Sequence, residues 1–255
     1  MCGRYAASRN PDDLVEEFEL VEKPEQALAP SYNVAPTQDV YAVLVRSPRE
    51  EPEAAPSRQL RVVRWGLVPS WAKDPKIGNR MINARMETVA EKPAYKRAFA
   101  KRRCLLPADG YFEWYGEKGH KQPFFMRPKD GGVMAMAGLY ELWKDKDAPE
   151  GTDPWLWTCT VLTTTAPDDL GRIHDRMPLL VEPARYGAWL DPANDDPDEL
   201  AGLLVPAAPG RLEAYAVSKA VSSVKNNGPH LIDPLPPDGV DPLDKPDKPE
   251  ETTLF

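Results

Sequence analysis

Cysteine stands at position 2, directly behind the initiator methionine, in Met1-Cys2-Gly3-Arg4. Loss of Met1, usual when a small side chain follows, would leave Cys2 with a free α-amine and a thiol on adjacent carbons, a 1,2-aminothiol. The amine's reference pKa is ~7.7–8.0 and the thiol's ~8.5, so about a tenth of the amine is uncharged at neutral pH. An aldehyde would form an imine with the nitrogen and then take the sulfur, closing a five-membered thiazolidine ring without a second encounter. Standing alone, a cysteine at position 2 is better explained by an accident of the start site. Two further residue types give it company. Glu113 is a lone carboxylate between Phe112 and Trp114, where burial would raise its pKa toward a general acid/base, unless it lies on an edge strand facing solvent. His174, one of three histidines, is followed by Asp175 and Arg176; it suits a neutral-pH proton donor or a hydrogen-bonded helix end.

The 255 residues, 42% hydrophobic and 28% charged, suit a globular protein with a sizeable core. No run reaches the ~18 apolar residues of a membrane span, and the N-terminus lacks a signal-peptide pattern, so a cytoplasmic location away from membranes is expected. Three widely spaced cysteines argue against a disulfide framework, and Cys104 and Cys159, in apolar runs, read as buried thiols. No glycine phosphate loop, zinc spacing or deaminase pattern occurs, so no cofactor and no metal are expected. The net charge of -8 argues against nucleic acid as a whole-chain property. Between Arg58 and Arg103, however, thirteen basic residues face three acidic ones. That segment reads either as a footprint for a phosphate backbone or as a solvated helix face with scattered surface charge.

The elements that must position these groups follow from local signals. Asn10-Pro11-Asp12-Asp13 starts a helix whose apolar face is Leu14, Val15 and Phe18. Tyr32-Asn33-Val34-Ala35-Pro36 reads as irregular, followed by strands over 40–45 and 60–64. Residues 81–86 read as a short extended stretch with Asn83 and Arg85 on one face. A basic helix over 94–102 precedes the apolar run Cys104-Leu105-Leu106, and Asp109-Gly110 turns into the aromatic strand 111–115. Strands are expected over 123–126, 133–139, 155–164 and 213–217, with short helices over 168–173, 184–190 and 198–204. Trp65 reads as buried, and Trp71, beside Lys73, as exposed and able to stack on a base. From Asp233 the chain carries six prolines and mostly acidic charge, so residues 236–255 are expected to be a disordered tail behind one domain over 1–235.

Six motifs together closely resemble the SRAP (SOS response-associated peptidase) family. They are Met1-Cys2-Gly3-Arg4-Tyr5, Tyr32-Asn33-Val34-Ala35-Pro36, Trp65-Gly66-Leu67-Val68-Pro69-Ser70-Trp71, Asn83-Ala84-Arg85-Met86-Glu87-Thr88, Ala108-Asp109-Gly110-Tyr111-Phe112-Glu113-Trp114 and Ile173-His174-Asp175-Arg176-Met177-Pro178. The resemblance implies a single α+β domain on a twisted, barrel-like antiparallel sheet with peripheral helices. It also implies a sensor that crosslinks to the ring-opened aldehyde of abasic sites in single-stranded DNA. Carried over by motif, Cys2 is the covalent nucleophile, Asn83 orients the sugar or the N-terminus, Glu113 is the acid/base, and His174 assists opening of the sugar. Arg4, Arg85 and Arg176 resemble phosphate ligands, and Trp71 and Trp114 resemble DNA-contacting aromatics. Asn33 and Pro36 would shape the groove near Cys2. A monomer is expected, with the cysteine terminus exposed in a cationic cleft. An N-terminal cysteine self-processing peptidase or amidase, and a non-enzymatic single-strand binding module, remain as alternatives.

Overall fold

The structure is a computed structural model that describes residues 2–47, 53–117, 120–167, 170–236 and 239. Twelve strands lie among the described residues: β1 (Tyr5–Ala7), β2 (Ser31–Val34), β3 (Asp39–Arg46), β4 (Ser57–Trp65), β5 (Asn83–Arg85), β6 (Arg103–Ala108), β7 (Gly110–Tyr115), β8 (Gln122–Pro128), β9 (Met134–Lys144), β10 (Trp155–Thr165), β11 (Arg176–Pro178) and β12 (Leu212–Ala216). Five short helices accompany them: α1 (Pro11–Phe18), α2 (Lys96–Lys101), α3 (Leu170–Ile173), α4 (Tyr186–Leu190) and α5 (Pro197–Leu203). The architecture is the expected α+β barrel with peripheral helices.

The barrel is a ring of β4, β3, β6, β9 and β10. Its long antiparallel seams run from Asp39↔Arg64 to Arg46↔Ser57, from Arg103↔Leu139 to Ala108↔Met134, and from Trp155↔Lys144 to Val161↔Gly138. It closes where β10 meets β4 in parallel over only two pairs, Thr158↔Arg64 and Cys159↔Trp65. The sheet is therefore not purely antiparallel. Above that seam β10 outruns β9 and takes β5 in parallel on one side (Val161↔Asn83) and β11 antiparallel on the other (Thr163↔Pro178). The second sheet is open, in the order β12-β8-β7-β1-β2.

Alternation decides what each surface buries. Val43, Leu60, Leu105 and Leu139 face the helices, where Phe18 stacks on Tyr186 and Phe99 packs near Trp189. Ala42, Val63, Cys104, Met136 and Cys159 fill the barrel together with Tyr5 and Tyr111 from the open sheet. Tyr5 meets Trp65 edge-on at 5.0 Å and so ties the sheet to the barrel's upper end. The opposite face of the open sheet buries Ala6, Phe112 and Phe125 against Val217, Val221 and Leu231.

Local chemistry explains the joints. Asn10 caps α1 by accepting from the Asp13 amide at 2.9 Å, and Leu14 and Phe18 then share its buried face. Gly66 has φ 130°, and a Cβ there would stand 2.6 Å from the Gly78 carbonyl oxygen, so the Trp65-Gly66 corner admits only glycine. Residues 32–36, read from sequence as irregular, begin as β2, because pairing with the distant β1 fixes Tyr5 opposite Val34. The turn at Pro36 and Thr37 follows, with Thr37 at φ 75°. The expected tail over 236–255 lies almost wholly outside the described residues. Among the described residues no helix is long and apolar enough to cross a membrane.

Candidate active site

The open sheet and the strands added to the top of β10 meet at Cys2. Its side chain is fully buried, so the expectation of an exposed cysteine terminus is corrected. The reason is packing: three residues ahead of β1, Cys2 joins Tyr5, Tyr111 and Met177 in the barrel-end core, where a thiol behaves as a small hydrophobe. Met1 lies outside the described residues. Asn83 donates from Nδ2 to the Cys2 carbonyl oxygen at 2.7 Å. Since a carbonyl only accepts, the other amide atom is Oδ1, and that buried acceptor has no hydrogen-bond partner among the described residues. Glu113, 5% exposed, faces the same side of β7 as Tyr111. Burial first, and then the nearby Glu113 carboxylate, push the Cys2 thiol far above the ordinary range. Cys2, Asn83 and Glu113 therefore form one cluster, contributed by the N-terminus, β5 and β7.

His174 joins this cluster through its element. α3, which ends just before it, lies against β7, and Leu170 and Ile173 pack on the core that contains Cys2. The Arg176 amide donates to Nδ1 at 3.0 Å, which leaves Nε2 as the protonated nitrogen of the neutral ring. The Asp175 carboxylate stands 2.9 Å from the same Nδ1.

The remaining site residues divide between two surfaces, because Glu113 and Trp114 are neighbours on one strand and point to opposite faces. On the Trp114 side, Arg4 lies over the indole at 5.7 Å and donates to Asn33 Oδ1 at 2.7 Å and to the Val221 carbonyl at 3.0 Å. Asn33 Nδ2 donates to the carbonyls of Val221, Ser223 and Asn226 at 3.2, 2.9 and 2.9 Å. Trp114 Nε1 donates to Ser222 Oγ at 3.0 Å. Asn33 is thus the buried clasp of the 218–226 segment. Replacing it with alanine is expected to leave those carbonyls unmet and to cost about 2–3 kcal/mol, read as a lower urea midpoint at constant m-value. An unchanged midpoint would show that the clasp carries no stability.

On the β10 side, Arg85 is exposed, and it and Arg176 both act on the Glu87 carboxylate. Arg176 grips Glu87 with both terminal nitrogens at 2.6 and 3.0 Å and donates to the Thr163 carbonyl at 2.6 Å. This holds the Glu87 carboxyl below its usual range. Pro36 is half-buried in the turn that binds Trp65, and Trp71 is 62% exposed. The basic segment does not act as one surface. Arg103 is buried and donates to the carbonyls of Phe99, Ala100, Trp189, Asp191 and Asn194. Arg102 is paired with Glu141, and Arg58 with Glu19.

Sequence reasoning missed Ser222 and the clasp around it. The polar turn 224–228 was the available signal, for Asn227 accepts from the Tyr32 amide at 2.7 Å and fixes that segment to β2. No group of three metal-ligating side chains stands together among the described residues. Burial also pushes the Tyr5, Tyr111, Cys104 and Cys159 side chains upward. An acid whose folded pKa is raised stabilises the fold fully below its unfolded pKa and ceases to as pH rises toward the folded value. Stability is therefore expected to fall above about pH 8.5, where unfolded thiols ionise, and faster above about pH 10. Urea midpoints that stay flat to pH 10.5 would contradict this burial.

The SOS response associated peptidase (SRAP) family model matches residues 1–224. The abasic site processing protein YoqW of Bacillus subtilis is 41% identical over 235 residues, covering 91% of this chain and 99% of its own. The abasic site processing protein YedK of Escherichia coli is 34% identical, covering 92% and 100%. An X-ray structure of a protein from Bacteroides thetaiotaomicron superposes with a TM-score of 0.76 at 25% identity, covering 92% of this chain and all of that one. With the family model and both relatives spanning most of its length, this chain belongs to the SRAP family.

Proposed function

We propose that this protein processes abasic sites in single-stranded DNA by linking the Cys2 α-amine and thiol to C1′ of the ring-opened sugar. The observation that carries the reading is the cluster itself. Cys2 is held through its carbonyl by Asn83, beside the buried carboxylate of Glu113, in a chain covering 99% of an abasic site processing protein.

Once Met1 is removed, Glu113 takes a proton from the Cys2 ammonium and the amine adds to the aldehyde. His174 gives a proton to the departing hydroxyl, water leaves and a protonated imine remains. The thiol adds to the imine carbon and its proton returns to His174, the nitrogen keeping the hydrogen it already carries. One water is lost overall. Asn83 fixes the Cys2 backbone so that nitrogen and sulfur reach the same carbon. Burial disfavours the Cys2 thiolate, and addition to a protonated imine, a far stronger electrophile than an amide, demands less of that thiolate than peptide-bond attack does. Arg4 and Arg85 would take flanking phosphates, Arg176 would do so by exchanging Glu87 for a phosphate, and Trp71 and Trp114 would stack on bases.

Incubation of the purified protein with a single-stranded abasic oligonucleotide, read by intact mass spectrometry, tests this. The expected product is one protein lacking Met1 plus one oligonucleotide, less one water. Absence of any adduct, or an equal yield with an intact oligonucleotide, would refute it.

A further inference from the structure

The barrel seam between β4 and β10 spans two residue pairs, and at the opposite end of β10 from Asn83 the two strands have parted. A cavity of about 550 Å³ opens there, within the range of small-molecule sites. From Val161, opposite Asn83, to Trp155 on the cavity wall is about 20 Å along the strand. The cavity is therefore separate from the Cys2 cluster.

Its lining is unusual for a protein of net charge -8. Four arginines, Arg46, Arg61, Arg97 and Arg102, face two carboxylates, Glu141 and Asp153. Glu141 is already bound to Arg102 at 2.7 Å, and Arg61 to Glu22 at 3.3 Å. Arg46 and Arg97 are exposed and have no carboxylate partner among the described residues. The Arg102 Nε is buried and likewise without a hydrogen-bond partner there. Arg46 lies over the Trp157 ring at 5.2 Å, an arrangement that leaves the guanidinium edge to donate two parallel bonds to an anion. Trp155, 39% exposed on the same wall, offers an aromatic surface.

We propose that this cavity is a nucleotide site, holding a phosphate on Arg46 and Arg97 and a base against Trp155. The ligand is either a free nucleoside phosphate or one nucleotide of a DNA strand. Arginine forks select the phosphate, and an exposed indole accepts any base. The site does not depend on reaction at Cys2.

Calorimetric titration of the full chain carrying Cys2→Ala, which removes covalent capture, tests the proposal with dAMP, deoxyadenosine, inorganic phosphate and a short oligodeoxyadenylate. dAMP is expected to bind at least about tenfold more tightly than deoxyadenosine or phosphate. Arg46→Ala and Arg97→Ala are each expected to weaken it about tenfold or more, and Trp155→Ala by a similar factor. Both arginines are exposed, so their variants should melt with the parent. If the affinity lost in Arg46→Ala is larger for the oligonucleotide than for dAMP, the strand is the source; if it is equal or smaller, the free nucleotide is. No dAMP binding, binding indifferent to all three substitutions, or phosphate held as tightly as dAMP would overturn the assignment.

Discussion

Replacing Cys2 by alanine is expected to abolish the stable DNA adduct while leaving a reactive amine in place. After removal of Met1 the variant still presents an α-amine, so an imine with the sugar aldehyde can form. Without the thiol that imine persists as an electron sink, and it either hydrolyses or drives β-elimination of the 3′ phosphate. Gels should therefore show crosslink yield reduced by at least about a hundredfold, because ring closure by an adjacent thiol has an effective concentration no external nucleophile matches. Strand scission should rise in the same lanes. Cys2 is buried among apolar side chains, and alanine there removes only one sulfur, so a melting curve close to the parent's should accompany the loss. A heat-stable adduct in wild-type yield would separate the sulfur from the chemistry.

Glu113→Gln is expected to slow crosslinking about a hundredfold, and most severely in acid. At pH 7 roughly five-sixths or more of an α-amine with pKa ~7.7–8.0 is protonated and cannot attack, and the fraction rises further in acid. A carboxylate beside it supplies the route for that proton, and glutamine of the same shape does not. The wild-type rate should thus decline gently from pH 8 to pH 6 and that of the variant steeply, the two curves converging toward pH 9. Glu113→Asp should recover part of the acid limb. Parallel curves across the range would remove Glu113 from proton transfer and leave it the role of a buried partner in the cluster.

Much of the fold was legible because it is local. The Asn10 cap, the aromatic strand at Tyr111 and the long apolar runs that became β9 and β10 announce themselves by capping chemistry and composition. β1 and β11, of three residues each, carry no period to read, and they exist because β7 and β10 accept them. The same holds for β2, in a segment read from sequence as irregular, where long-range pairing with β1 prevailed. Barrel closure through a two-pair parallel contact has no local signature at all.

The site was legible by residue type more than by surroundings. A cysteine at position 2, an asparagine in a short extended segment and a glutamate between aromatics did converge on one place. Which face each neighbour takes was set by tertiary contacts: Arg4, Asn33 and Trp114 lie across the sheet from Glu113 and clasp the 218–226 segment. The cluster of positive charge between Arg58 and Arg103 dispersed for a related reason. Arg103 bonds to backbone carbonyls inside the protein, a fate that charge counting does not register.

In the proposed crosslink the Cys2 nitrogen and sulfur end bonded to the same sugar carbon. Borohydride treatment of the wild-type adduct followed by intact mass spectrometry tests it most directly, since borohydride reduces an imine and leaves a thiazolidine untouched. One species is expected, the protein without Met1 plus the abasic oligonucleotide less one water, with the same mass before and after treatment. A gain of two hydrogens on reduction, or an adduct that still carries Met1, would contradict it.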